Sequence, residues 1–218
     1  AIGLRRIVTS DGPAGVRGER WDERNPSANV PSPTALAATW DEDRVERIGL
    51  LLASEARSKG VDVLLAPTVN LHRTPFGGRH FECFSEDPLL TSRIGCAYVR
   101  GVQAGGVGAT VKHFVANDTE TERFTVDAVI DERTLRELYL APFEAIVRDA
   151  DLGPVDVVLE VGAGEGALSD RIAPRVAHLH AIELDRRLAD ELEAVSARHP
   201  NLSLVWGDAM RADLRGLE

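Results

Sequence analysis

The sequence predicts an α/β fold of about six parallel strands alternating with helices. Three observations lead there. Short apolar runs such as Val61–Val69, Val155–Val161 and Leu202–Trp206 alternate with amphipathic helical patterns, the signature of βαβ units. The Val61–Val69 run, interrupted only by Asp62 and Thr68, is continuously apolar over Val63–Pro67 rather than at every second residue, as in a strand covered on both faces. The chain has 218 residues, 44% of them hydrophobic and 28% charged, which suits a globular protein with one large core or two small ones. A seam at about 150–155 divides residues 1–150 from residues 151–218, because the motifs on its two sides carry different chemistry.

In chain order, Ile7-Val8-Thr9 is a short strand that ends on Ser10-Asp11-Gly12-Pro13. Residues 17–33 hold Gly18, Pro26, Pro31 and Pro33 and read as an irregular loop. From Asp41 to Lys59, Val45, Ile48, Leu52 and Ala56 form one helix face, with Gly60 as the stop. Val61–Val69 is a strand and 70–84 a loop rich in Arg, His, Gly and aromatic residues. Ser85 is a suitable N-cap for a helix through Glu86-Asp87-Pro88 that ends at Gly105-Gly106. Gly108–Val115 is the next strand. Asp131 caps a helix to about Asp149, which Pro142 must kink or split. Beyond the seam come strand Val155–Val161, turn Gly162–Gly166, helix Ala167–Ala173, strand Leu179–Leu184, helix Arg186–Arg198 and strand Leu202–Trp206. All six strands can join one parallel sheet, or divide between two sub-domains. The single sheet, with its edges hidden by self-association as a dimer, is the preferred arrangement.

The net charge of -10 makes nucleic acid a poor default partner. Two cysteines, Cys83 and Cys96, make no disulfide framework and suit a reducing, cytoplasmic setting as small buried hydrophobes. No run is apolar enough to span a bilayer, and no signal peptide is visible.

Four stretches carry a resemblance in the first part: Ser10-Asp-Gly-Pro-Ala-Gly-Val-Arg17, Gly78-Arg-His-Phe-Glu-Cys-Phe-Ser-Glu-Asp-Pro88, Lys112-His113-Phe114 and Ala116-Asn117-Asp118. In order and spacing they resemble the start of the barrel of glycoside hydrolase family 3, over about residues 1–149. The resemblance implies a TIM-barrel fragment in which Asp11, Arg79, Lys112 and His113 bond the hydroxyls of the sugar before the scissile bond. The residue types suit that task, since a polyol needs acceptors (Asp11) and donors (Arg79, Lys112, His113) together. Each lies at or just past the C-terminal end of a strand, where parallel α/β folds hold ligands. Structural roles compete: Asp11 as a turn residue, Arg79 as the ion-pair partner of Glu82 or Asp118, Lys112 and His113 as a polar rim. In that family the nucleophile is an Asp followed by Trp on a later strand. No Asp-Trp pair follows the seam, so no catalytic residue is assigned and efficient glycoside turnover is not expected.

In the second part, Val157-Val-Leu-Glu-Val-Gly-Ala-Gly-Glu-Gly166, Ala181-Ile-Glu-Leu-Asp185 and Trp206-Gly-Asp-Ala209 resemble the first motifs of S-adenosylmethionine-dependent methyltransferases, nearest the rRNA adenine dimethyltransferases. A Rossmann-like half is implied. Gly162, Gly164 and Gly166 let the backbone turn sharply and approach a ligand. Glu183, at the end of the next strand, is placed to accept from two ribose hydroxyls. By resemblance Asp208 takes the adenine amino group and Glu160 lies near the methionine end. The motif that grips the target base is missing, so methyl transfer to RNA is not expected even where S-adenosylmethionine binds. The alternative is a Gly-rich turn with acids capping strand ends.

The chain therefore reads first as a chimera of two incomplete α/β pieces with no efficient turnover. A binding module for S-adenosylmethionine or S-adenosylhomocysteine comes next, and a β-glucosidase-type fragment third. No metal site is expected.

Overall fold

The computed structural model describes residues 7–20, 22–150 and 157–209. It is α/β, and the described residues form two three-stranded parallel sheets rather than one six-stranded sheet. The chain divides into two compact units at Ala150 and Asp151. The first residues of the expected strand at Val155 lie outside the described residues.

In the unit of residues 7–150, β1 (Thr9–Asp11), β2 (Val63–Leu65) and β3 (Gly108–Ala109) run parallel in the order β1-β2-β3. Asp11 pairs with Leu65 and Val63 with Gly108, so the three C-terminal ends lie side by side. β2 and β3 are shorter than their apolar runs, and β1 lies two residues later than the expected Ile7–Thr9. Beyond Leu65 the pairing continues irregularly, with Thr110 N–H donating to Ala66 O and Lys112 N–H to Pro67 O. Pro67 lacks an N–H to return.

A short helix not foreseen in the sequence, α1 (Pro33–Ala37), is capped by Ser32, whose side chain accepts from Ala35 N. Helix α2 (Glu42–Ser58) has Asp41 as its N-cap and buries Val45, Leu52, Ala53 and Ala56. Helix α3 (Pro88–Ala104) starts two residues later than Ser85 implies. Asp87 is its N-cap, accepting from Leu89 and Leu90 N–H, and Ser85 instead accepts from Asp87 N. With Pro88 at the first helical position, the residue before it is held extended, which suits a cap. Pro142 does split the helix expected over 131–149. The segment becomes a single turn α4 (Glu132–Thr134), a π segment Leu135–Tyr139, and α5 (Ala141–Asp149), which buries Phe143, Ile146 and Val147.

The core of this unit is one cluster that includes Leu64, Val69, Phe84, Ile94, Tyr98 and Phe143. Helices α2 and α3 touch backbone to backbone. A Cβ at Gly101 would sit 2.1 Å from Glu46 O. Arg93 with Glu42 (2.7 Å) and Arg100 with Glu46 (3.2 Å) tie the same two helices at their surface.

In the second unit, β4 (Val157–Val161), β5 (His178–Glu183) and β6 (Leu202–Trp206) run parallel in the order β4-β5-β6. Between them lie α6 (Ser169–Ile172), extended by a 3-10 turn through Arg175, and α7 (Ala189–Arg198), which follows a 3-10 turn at Arg186–Leu188. Leu192 and Val195 of α7 are buried. Among the described residues no helix is long and apolar enough to cross a membrane.

The α2–α3 contact gives a stability prediction. Helix propensity alone favours Ala over Gly by about 1 kcal/mol. At Gly101 the added methyl meets a carbonyl oxygen that cannot rotate away, so overpacking by about 1–3 kcal/mol should win. Gly101→Ala should lower the denaturant midpoint of the protein. An unchanged or raised midpoint would show that the helices separate freely.

Candidate functional site

The four residues expected to meet a sugar gather at the C-terminal ends of the first sheet. Asp11 is the last residue of β1, and its side chain is 56% exposed. Lys112 and His113 follow β3 and are joined to the second strand's extension, where Thr68 bridges both Lys112 and Cys83. Arg79 opens a 3-10 turn over His80–Glu82. Lys112 Nζ stands 3.9 Å from Asp11 Oδ1 and 4.0 Å from Glu82 Oε2, and Arg17 Nη1 is 3.9 Å from Asp11 Oδ2.

At the centre is Glu82. Its side chain is 6% exposed, and its Oε1 accepts from Arg79 Nε at 2.6 Å. Oε2 accepts from Thr68 Oγ1 at 2.8 Å. Burial works against its charge, but the bonds from Arg79 and Thr68 and the charges of Arg79 and Lys112 outweigh it. The carboxyl is held below its usual range. Of the two structural partners considered for Arg79, Glu82 is therefore present. The other acid near Arg79 Nε is Glu120 at 3.2 Å. Asp118 instead accepts from Leu71 N at 3.2 Å, and burial pushes its carboxyl upward.

His113 is enclosed by polar partners. Its backbone N–H donates to Asn70 Oδ1 at 2.8 Å, its Nδ1 lies 3.1 Å from the same oxygen, and its Nε2 lies 2.8 Å from Arg79 Nη2. Burial first, then the positive charges of Arg79 and Lys112, push its ring down to about 4, so it is neutral near pH 7. Thr68, Asn70 and Glu120 are members of this site that sequence reasoning missed. Asn70 left one trace, as the first polar residue after the apolar run that ends at Val69. Cys83 and Cys96 are buried, which pushes their thiols up to about 12 and about 11, values of inert thiols.

The second unit holds the other expected set. Gly162 (φ +77°) and Gly164 (φ +59°) occupy the left-handed region that only glycine enters freely. Gly166 is needed for closeness, since a Cβ there would meet Val195 Cγ2 at 2.8 Å. Glu183, expected to have both oxygens ready for ribose hydroxyls, is already engaged. Oε2 accepts from Gly164 N, and Oε1 from Leu184 N and Asp185 N, each at 2.8 Å. Three of its four lone-pair positions are thus filled by backbone. Asp208 is exposed just past β6. Trp206 of β6 lies beneath the Arg186 guanidinium, 5.8 Å from ring centroid to carbon. Glu160 is buried on β4 and accepts from Ser169 Oγ at 2.6 Å, while its other oxygen has no partner. Burial raises its carboxyl to about 7, against the bond from Ser169 and with the charge of Glu183. Among the described residues no group of three metal-ligating side chains could hold a metal ion.

This edge of the parallel sheet combines two half-buried cations, a buried carboxylate and an exposed acid at the usual ligand position of such folds. Residues 2–173 match the profile of the glycosyl hydrolase family 3 N-terminal domain. The chain belongs to this family. A β-glucosidase of Rhizobium radiobacter is 52% identical over 155 residues, which is 71% of this chain and 19% of that protein. The structure of β-glucosidase 3B from Thermotoga neapolitana, solved in complex with glucose, has a TM-score of 0.66 and 43% identity, over 72% of this chain and 22% of that one. A Bifidobacterium adolescentis family 3 β-glucosidase overlays 94% of this chain and 30% of its own, with a TM-score of 0.70 and 30% identity. The chain thus spans about a fifth of the curated relatives it matches. Residues 142–217 also match the profile of ribosomal RNA adenine dimethylases, overlapping the first match over 142–173.

Glu160 sets a pH dependence. An acid whose folded value is raised from 4.5 to about 7 stabilises the fold fully below pH 4.5, and that contribution is lost as pH rises through about 7. Glu160→Gln keeps an acceptor for Ser169 without the charge. At pH 8 it should melt on the order of 5 °C above the parent, with little difference at pH 4. Parallel melting curves at both pH values would show that Glu160 ionises freely in the fold.

Proposed function

We propose that residues 7–150 form the glucose-gripping rim of a family 3 β-glucosidase. The observation that carries this is the gathering of Asp11, Arg79, Lys112 and His113 around one buried carboxylate at adjacent strand ends. The relative from Thermotoga neapolitana, solved with glucose, supports glucose as the ligand. Asp11 accepts from sugar hydroxyls, while Lys112 and the outer N–H groups of Arg79 donate to sugar oxygens. Retaining glycosidases use two carboxyls about 5 Å apart. Glu82 is committed to Arg79 and Thr68, and Asp118 to Leu71 N, so the rim's part is to bind and orient the sugar.

Glucose titrated into the protein, followed by chemical-shift change, should bind saturably. Arg79→Ala and Lys112→Ala should each weaken binding about tenfold or more, as loss of a charged donor implies. Binding that survives both substitutions would place the sugar elsewhere.

A second reading rests on the left-handed Gly162 and Gly164 and on the Gly164 N–H bond to Glu183, together with the adenine dimethylase match. In it, residues 157–209 hold S-adenosylmethionine through Gly162, Gly164, Gly166, Glu183 and Asp208, with Glu160 behind the loop supporting it through Ser169. The cofactor would supply an activated methyl group, and Glu183 would give up a backbone donor to meet the ribose. A chimeric origin accords with the overlap of the two matches at 142–173. The overlay of a family 3 enzyme on 94% of the chain favours the glycosidase reading as the primary one. Calorimetric titration of S-adenosylhomocysteine should give heat that Gly164→Val and Glu183→Ala both abolish. The absence of heat with the folded parent protein would end the cofactor reading.

A further inference from the structure

We propose that Glu82 is the positioning residue of the rim: it aims Arg79 and Lys112 outward and, through Arg79, fixes which nitrogen of His113 carries the proton. The inference rests on the sugar-rim reading for its purpose, although its geometry stands without a sugar.

The proton positions follow from donor and acceptor inventories. A backbone N–H can only donate, so the atom of Asn70 that faces His113 N at 2.8 Å must be the amide oxygen. The amide nitrogen then donates to His113 O at 3.1 Å, which closes the pair. A guanidinium also only donates, so His113 Nε2, 2.8 Å from Arg79 Nη2, must be the acceptor. The ring proton therefore sits on Nδ1, 3.1 Å from Asn70 Oδ1. In this arrangement His113 offers a ligand no N–H. The donor role expected of it passes to Arg79 and Lys112.

What fixes Arg79 is Glu82. The bond from Arg79 Nε to Oε1 orients the guanidinium plane, and that orientation brings Nη2 to the imidazole. The second carboxylate oxygen is held by Thr68, the residue that bridges the strand extension to Lys112 and Cys83, so Glu82 is registered to the sheet itself. Glu120, at 47% exposure, is a looser second partner for Arg79, and its Oε1 is shared with Arg123 Nη1 at 3.1 Å.

The test is nitrogen NMR of the imidazoles at pH 7 in the full chain, with His113 assigned by its loss in His113→Asn. The parent should show His113 protonated at Nδ1. Glu82→Gln should move it toward the Nε2-protonated form and weaken glucose binding about tenfold, with the fold retained by circular dichroism. A parent ring protonated at Nε2 would overturn the proposal. So would a Glu82→Gln protein with an unchanged His113 tautomer, or with unchanged glucose affinity. If Glu82→Gln does not fold, Thr68→Val removes only one bond to the carboxylate and should give smaller changes in the same direction; no change there counts against the proposal. Failure of the parent to bind glucose sinks the sugar reading alone, because the tautomer measurement needs no ligand.

Discussion

A carboxylate with 6% exposure stays ionised only where its charge is answered on the spot, and at Glu82 three groups from three places in the chain answer it. Arg79 arrives from the same 3-10 turn, Thr68 from the extension of β2, and Lys112 from beyond β3. The position of each depends on parallel strands ending at one level, which the Asp11–Leu65 and Val63–Gly108 registers provide. Moving the extension of β2 or of β3 by one residue would take Thr68 or Lys112 away from Glu82. The rim is therefore a condition on the fold as well as a product of it.

The second unit meets a similar requirement with backbone rather than cations. Glu183 gathers three N–H donors, and one of them, from Gly164, exists only because that residue adopts a positive φ. The acid and the glycines are thus one device: the loop gives the carboxylate its donors and the carboxylate holds the loop. Glu160, a strand away, has only Ser169 for its carboxyl, and burial raises that carboxyl to about 7. The two acids are equally buried, at 8% exposure each, and differ in their donors: three backbone N–H groups for Glu183, one hydroxyl for Glu160.

Much of this was legible in the sequence, for identifiable reasons. Helix α2 followed from its apolar spacing and Asp41, and the parallel character followed from the largely apolar run at Val61–Val69. That run nonetheless has ladder pairing only over Val63–Leu65, since Pro67 has no N–H to give. Ser85 and Asp87 both have capping side chains, and the choice between them turned on Pro88. The division of six strands into two sheets was not readable, because strand order depends on contacts far apart in sequence. At the rim, Asp11, Arg79, Lys112 and His113 stand in recognisable motifs. Asn70 and Thr68 act through partners 43 and 14 residues away, and nothing local marks them.

The closed network around Glu82 also decides when the conformational entropy of the rim is lost. A free Arg or Lys side chain gives up about 1.5–2 kcal/mol of rotamer freedom when it is immobilised. Arg79 and Lys112, at 12% and 17% exposure and already held to carboxylates, have surrendered much of theirs during folding. A ligand reaching the rim meets cations that are already still, and it binds without ordering them. The cost has moved to the stability of the folded chain, where the helices and the common hydrophobic cluster carry it.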